Sequence, residues 1–154
     1  MNKDEEAGFR VLASVLSQNL YQNLRETKGL SYSLGAGFSM HGEYGLFQIA
    51  AGTRAETLGE VEKGIYKEME QIKKEIISSS RLKKLINSSN SRRLMRSLTR
   101  IGQCYQAGLN EFYGKLFNHN EELLNKIKKL SSDEIQKMAL NYLKREHMVK
   151  IIVE

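Results

Sequence analysis

Arg25 and Tyr32 flank Lys28-Gly29, and they are the two polar side chains of this sequence best placed to act together. A guanidinium offers several N–H donors and a phenol one O–H. Held side by side, they can grip a carbonyl or carboxylate and stabilise charge as it develops on a carbonyl oxygen. The spacing equally allows Arg25 to be an exposed helix-end cation favoured by the helix dipole, and Tyr32 a sheet-edge aromatic.

No other constellation competes. The histidines are His41, His119 and His147, far apart in the chain. A zinc helix needs two histidines one turn apart. His119-Asn120-Glu121-Glu122-Leu123 has a histidine and a glutamate at the offset of an inverted zinc motif. Leu123 stands where the second histidine would be, so His119 is expected at a helix start instead, with no metal held in this chain. Cys104 is the single cysteine, which excludes an intrachain disulfide and a cysteine metal cluster. It is expected to be a small core residue beside a helical apolar stripe. No serine occupies a Gly-x-Ser-x-Gly elbow, and Gly35-Ala36-Gly37 is not followed by the helix start that a phosphate loop requires.

The chain has 154 residues, enough for a single domain with a real core. Hydrophobic residues make up 40% and charged residues 27%, and the net charge is +6, so a basic face for nucleic acid has to be weighed. The charge concentrates in one predicted helix, where Arg81, Lys83, Lys84, Arg92, Arg93, Arg96 and Arg100 occur without an acidic residue. They spread around the helix with no aromatic among them, so no nucleic-acid partner is expected. No apolar run approaches the roughly 18 residues of a membrane helix, so no membrane partner is expected. The charged start Met1-Asn2-Lys3-Asp4-Glu5-Glu6 is not followed by the apolar core of a signal peptide.

The elements that would position Arg25 and Tyr32 follow from periodicity. Phe9, Leu12, Ala13, Leu16, Leu20 and Leu24 form one stripe of a helix over residues 4–26, with Asp4, Glu5 and Glu6 in its first turn. Gly29 is the candidate left-handed residue that stops it. Tyr32, Leu34, Ala36 and Phe38 alternate with small residues in a strand over 31–39, all four directed to one face. A turn at Met40-His41-Gly42-Glu43 leads to a second strand over 44–52, completing a hairpin. A helix over 53–76 carries Leu58, Val61, Ile65, Met69, Ile72 and Ile76. Ser78-Ser79-Ser80 ends it and caps a helix over 81–109, whose buried face would comprise Leu82, Leu85, Ile86, Met95, Leu98, Ile101, Tyr105 and Leu109. A turn or short helix over 111–118, a helix over 120–130 and a capping box from Ser131 to Glu134 follow, the box opening the last helix. Residues 148–153 read as a strand. The order α-β-β-α-α-α-β predicts an α+β fold with helices on one face of a mainly antiparallel sheet. Three strands are few for so many helices. The sheet would be completed either by a second chain, as in a homodimer, or by more of the same protein, and the second is favoured.

Leu24-Arg25-Glu26-Thr27-Lys28-Gly29-Leu30-Ser31-Tyr32-Ser33 resembles the Leu-Arg-Glu-x-(Lys/Arg)-Gly-Leu-(Ala/Ser)-Tyr-Ser signature of the M16 peptidases, the insulinase, pitrilysin and mitochondrial processing peptidase family. The signature is that of the family's non-catalytic half. The hairpin, the helix after it, the Ser-capped basic helix, Ser131-Ser132-Asp133-Glu134 and the final run also resemble the family's elements. The resemblance implies a substrate-binding domain of a zinc metalloendopeptidase, inactive by itself. Arg25 and Tyr32 would help hold a peptide substrate opposite Zn2+ on an N-terminal zinc-bearing domain, in the same chain or a separate subunit. It also implies that two strands preceding the first helix are missing, so the chain is expected to be a C-terminal portion of a larger peptidase. Ser14-Val15-Leu16-Ser17-Gln18 stands where the family has a Leu-Gly-Gly stretch. A different reading within the family is a structural subunit, like the inactive M16-type core proteins of respiratory complexes.

Overall fold

The computed structural model describes residues 5–116 and 118–153, apart from the side chains of Arg93, Arg96 and Ser97. Asp4, expected in the first helical turn, lies outside the described residues, as do the side chains of Arg93 and Arg96 in the basic helix. The fold is α+β and mostly helical, with one two-stranded antiparallel sheet among the described residues.

Helix α1 (Glu5–Leu20) is the axis of the molecule. The whole predicted stripe from Phe9 to Leu24 is buried, and so are Ala7, Val11 and Val15 on its flanks. A helix apolar on so much of its circumference must be covered on more than one side. On one side lies the hairpin of β1 (Ser33–His41) and β2 (Tyr44–Gly52), with Phe9 stacked on Phe38 at 5.0 Å between ring centroids. On the others lie α2 (Leu58–Lys74), α3 (Ser79–Ser97), α5 (His119–Lys129) and α6 (Ser132–Tyr142). The close packing of α6 on α1 falls at Gly8. A Cβ there would collide with Met138 Sδ.

The strands pair with Ala36 opposite Ile49 and Phe38 opposite Phe47, around a tight turn where Gly42 adopts φ +61°. Leu34 and Ala36 pack on the core as the alternation predicts. Tyr32 does not. It precedes the first ladder residue, sits beyond the edge of the core and is 88% exposed. The helix over 53–76 is a 3-10 turn at Ala55–Thr57 followed by α2.

The long helix expected over 81–109 is broken. Thr99 adopts extended backbone, and its hydroxyl accepts from the Gly102 N–H at 3.1 Å, capping a separate α4 (Arg100–Phe112). Only the first part of the predicted buried face is covered, and the exposed part begins before the break, at Met95 in α3. Leu82 and Ile86 are buried, while Met95, Leu98, Ile101 and Tyr105 lie exposed. Cys104 is exposed with them instead of being a core residue. The segment expected as a turn over 111–118 begins as the last turn of α4 and bends at Gly114, φ +61°.

The final run is extended but forms no strand among the described residues. A ladder requires a neighbour with free N–H and C=O groups, and among the described residues none pairs with it. Its tie to the body runs through Lys150 Nζ, which donates to Glu62 Oε1 at 3.0 Å, and through Arg145, whose guanidinium lies 3.7 Å over the Tyr66 ring. The capping box is present: Glu134 N–H donates to Ser131 Oγ and Ser131 N–H to Glu134 Oε2.

Candidate functional site

The first helix does not end as a plain α-helix. From Tyr21 to Glu26 it widens into a π-helical segment. Thr27 N–H donates to Gln22 O at 3.0 Å, five residues back, and Leu30 N–H reaches Leu24 O at 2.9 Å, six residues back. Such segments are uncommon and recur at functional sites, because the extra residue in the turn re-aims the side chains beyond it. Gly29 then takes φ +63°, the left-handed stop expected from the sequence.

Tyr32 is presented by a short, firmly tied piece of backbone. Thr53 Oγ1 donates to Leu30 O at 2.6 Å. Ser31 is buried, its hydroxyl 2.8 Å from Gly52 O and 2.9 Å from Ser33 O. Tyr32 N–H donates to Gly52 O at 3.1 Å. These bonds tie the backbone on either side of Tyr32, and the Tyr32 side chain is left in solvent.

Arg25 and Tyr32 come together across the turn. The Arg25 guanidinium carbon is 5.9 Å from the centre of the Tyr32 ring and 4.9 Å from that of Tyr21. Both are within the range of a cation–π contact. Arg25 is exposed and makes no ion pair with a carboxylate among the described residues. Chemically, the arrangement offers a cluster of hydrogen-bond donors with fixed positive charge, suited to backbone carbonyl or carboxylate oxygens. Tyr21 was not anticipated. Its spacing of one helical turn from Arg25 was the available signal.

The other candidate residues have different surroundings. His119 begins α5, as expected, and its Nε2 lies 3.5 Å from Glu6 Oε2 and 3.3 Å from Lys115 Nζ. Burial, followed by the charge of Lys115, holds the His119 pKa below its ordinary value, although Glu6 acts in the opposite direction. The buried Glu6 carboxylate also receives Arg10 at 2.8 Å. This polar network joins α1 to α5. Among the described residues, no group of three or more histidine, cysteine or acidic side chains could hold a metal ion, so the donor set does not fit zinc. Arg81, in the basic helix, is half-buried and donates to Asn19 Oδ1 at 2.7 Å. No helix among the described residues is long and apolar enough to cross a membrane.

Similar proteins agree with this fold. The chain is 26% identical over 145 residues to the protein of Bacillus subtilis (strain 168) called uncharacterized zinc protease YmxG, covering 92% of this chain and 35% of that protein. It superposes on the crystal structure of a peptidase M16 inactive domain from Pseudomonas fluorescens with a TM-score of 0.75 at 19% identity, covering 88% of this chain and 34% of that one. A protease from Helicobacter pylori gives a TM-score of 0.79 at 17% identity, covering 93% of this chain and 35% of that one. The chain thus spans about a third of the length of these relatives. The family model described as the Peptidase M16 inactive domain matches residues 1–89, more than half of the sequence, and the chain belongs to that family.

Proposed function

We propose that this chain is the substrate-binding, non-catalytic domain of an M16-type zinc metalloendopeptidase, one domain of a longer protein. Arg25 and Tyr32 hold the peptide backbone through hydrogen bonds to carbonyl oxygens. The reading is carried by one observation: the Arg25 guanidinium is caged by Tyr21 and Tyr32, with no carboxylate partner among the described residues. An arginine serving only as a helix-end cation has no need of that cage. Zinc belongs to the other half of the protein in this reading, since the groups described here do not suit it.

In the full-length protein, Arg25→Ala or Tyr32→Phe is expected to lower turnover of an unfolded peptide at least tenfold, on the order of 1.4 kcal/mol in the barrier. Unchanged kinetics would show the pair to be structural. This domain alone is expected to cleave nothing, and to support cleavage when mixed with its zinc-bearing half.

The exposed apolar side chains Met95, Leu98, Ile101 and Tyr105 favour a second reading, a structural subunit of an assembly. An intact inverted zinc motif in the remainder of the protein or in a neighbouring gene supports the peptidase; its absence from both supports the scaffold.

A further inference from the structure

We infer that Glu68 is a positioning residue for Arg25 and acts through Asn23. The inference rests on the proposed role of Arg25 in holding substrate. Asn23 and Leu24 are the two residues immediately before Arg25 in the π-helical segment, and α2 grips both. Asn23 Nδ2 donates to Glu68 Oε1 at 2.8 Å. One turn earlier on α2, Gly64 lies so close to Leu24 that a Cβ there would come within 2.8 Å of Leu24 Cδ2. Gly64 and Glu68 are four residues apart, on one face of α2. That face is therefore a template against which the widened turn is pressed and tied.

Stability does not account for Glu68. It is 3% exposed, and its Oε2 meets no hydrogen-bond donor among the described residues. A buried carboxyl held by a single protein hydrogen bond is costly to keep, and an apolar side chain of similar size would fill the same space at less cost. What Glu68 supplies instead is direction. It fixes Asn23 laterally, and a fixed Asn23 sets the rotational phase in which Arg25 leaves the turn toward Tyr21 and Tyr32. The polar cavity of about 270 Å³ that Asn23 and Glu68 line gives the segment room to shift if that tie is lost.

The test compares Arg25→Ala, Asn23→Ala, Glu68→Leu, Glu68→Gln and the Asn23→Ala/Arg25→Ala double variant in the full-length protein, using cleavage of an unfolded peptide. Asn23→Ala and Glu68→Leu are expected to lower kcat/KM about fivefold with the thermal midpoint kept or, for Glu68→Leu, raised. Glu68→Gln keeps an acceptor oxygen for Asn23 and restores the wild-type value. The double variant is expected to be no worse than Arg25→Ala alone, because both changes remove one function. A loss in Arg25→Ala with none in Asn23→Ala or Glu68→Leu overturns the positioning role and leaves the proposed function standing. No loss in Arg25→Ala overturns the proposed function itself. A second readout is independent of activity: the Arg25 side-chain protons, lying near two tyrosine rings, are expected to show ring-current-shifted resonances. These are expected to move toward ordinary values in Asn23→Ala and to stay shifted in Glu68→Gln. Asn23 is exposed, so its substitution keeps the test informative even if Glu68→Leu fails to fold. Unmoved Arg25 resonances in Asn23→Ala overturn the inference.

Discussion

Replacing Gly64 by alanine reverses the usual effect of that substitution. In the interior of an exposed helix, Gly→Ala stabilises by up to about 1 kcal/mol, because glycine loses more backbone freedom on folding. At Gly64 the new methyl would lie 2.8 Å from Leu24 Cδ2, 3.0 Å from Cγ and 3.2 Å from Cδ1. Leu24 is buried, so its branch cannot swing into solvent. Overpacking of this kind costs about 1–3 kcal/mol, and the helix-propensity gain offsets about 1 of it. The net expectation is a loss of about 1 kcal/mol, or a midpoint lowered by about 2–4 °C for a chain of this size. Gly108→Ala in α4 is the internal control. Nothing lies within 4 Å of its added methyl, so it should gain about 0.5–1 kcal/mol. Urea denaturation of both variants measures the difference directly. Leu24→Ala, which removes the atoms the methyl meets, should make Gly64→Ala neutral or favourable, a coupling of about 1–2 kcal/mol. If Gly64→Ala stabilises as Gly108→Ala does, the close approach of α2 to the widened turn is wrong, and with it half of the template argued for Arg25.

Three further outcomes are expected. His119 titrates below its ordinary value of 6.5 in the folded chain, so the unfolded chain binds more protons there. Stability should therefore fall as pH drops below about 6.5, and His119→Asn should flatten that fall in the thermal midpoint. Ser131→Ala removes the acceptor for the Glu134 N–H and should cost about 1 kcal/mol in equilibrium unfolding. Thr53→Val keeps the shape but loses the bond to Leu30 O, costing about 0.5–1.5 kcal/mol, with faster amide exchange at Tyr32 if that carbonyl anchors the segment.

Much of the fold was readable where a single physical signal suffices. The α1 stripe, the alternation of β1, the Gly29 stop and the Ser131 capping box each depend on local spacing or on one residue's conformational freedom. The features that escaped depend on what lies elsewhere in space. Residues 148–153 have strand chemistry, but a strand exists only against a partner. The face from Met95 to Tyr105 has helical spacing but lies off the core, and no glycine or proline stands between Met95 and Thr99 to announce the break. Tyr32 continues the inward register of Leu34 and Ala36 in sequence yet falls past the end of the ladder. Arg25 and Tyr32 could be paired from the sequence. Tyr21 was marked only by its one-turn spacing from Arg25, and Asn23 and Glu68 by nothing, because the widening of the turn leaves no mark in residue type.

That widening makes the geometry around Arg25 a matter of counting. A helix with one residue too many stores a register error, and every side chain after it is rotated relative to the regular repeat. Deleting a single residue between Gln18 and Leu24 would let the segment revert to ordinary α-helix, and Tyr21, Asn23 and Arg25 would lose the mutual spacing that the widened turn gives them. The backbone would gain regular hydrogen bonds while the guanidinium turned out of its tyrosine cage. Length in this short interval is therefore under tighter constraint than the identity of most of its residues, and an insertion elsewhere on the surface, even of several residues in the 113–118 connection, would disturb Arg25 less than the loss of one residue here.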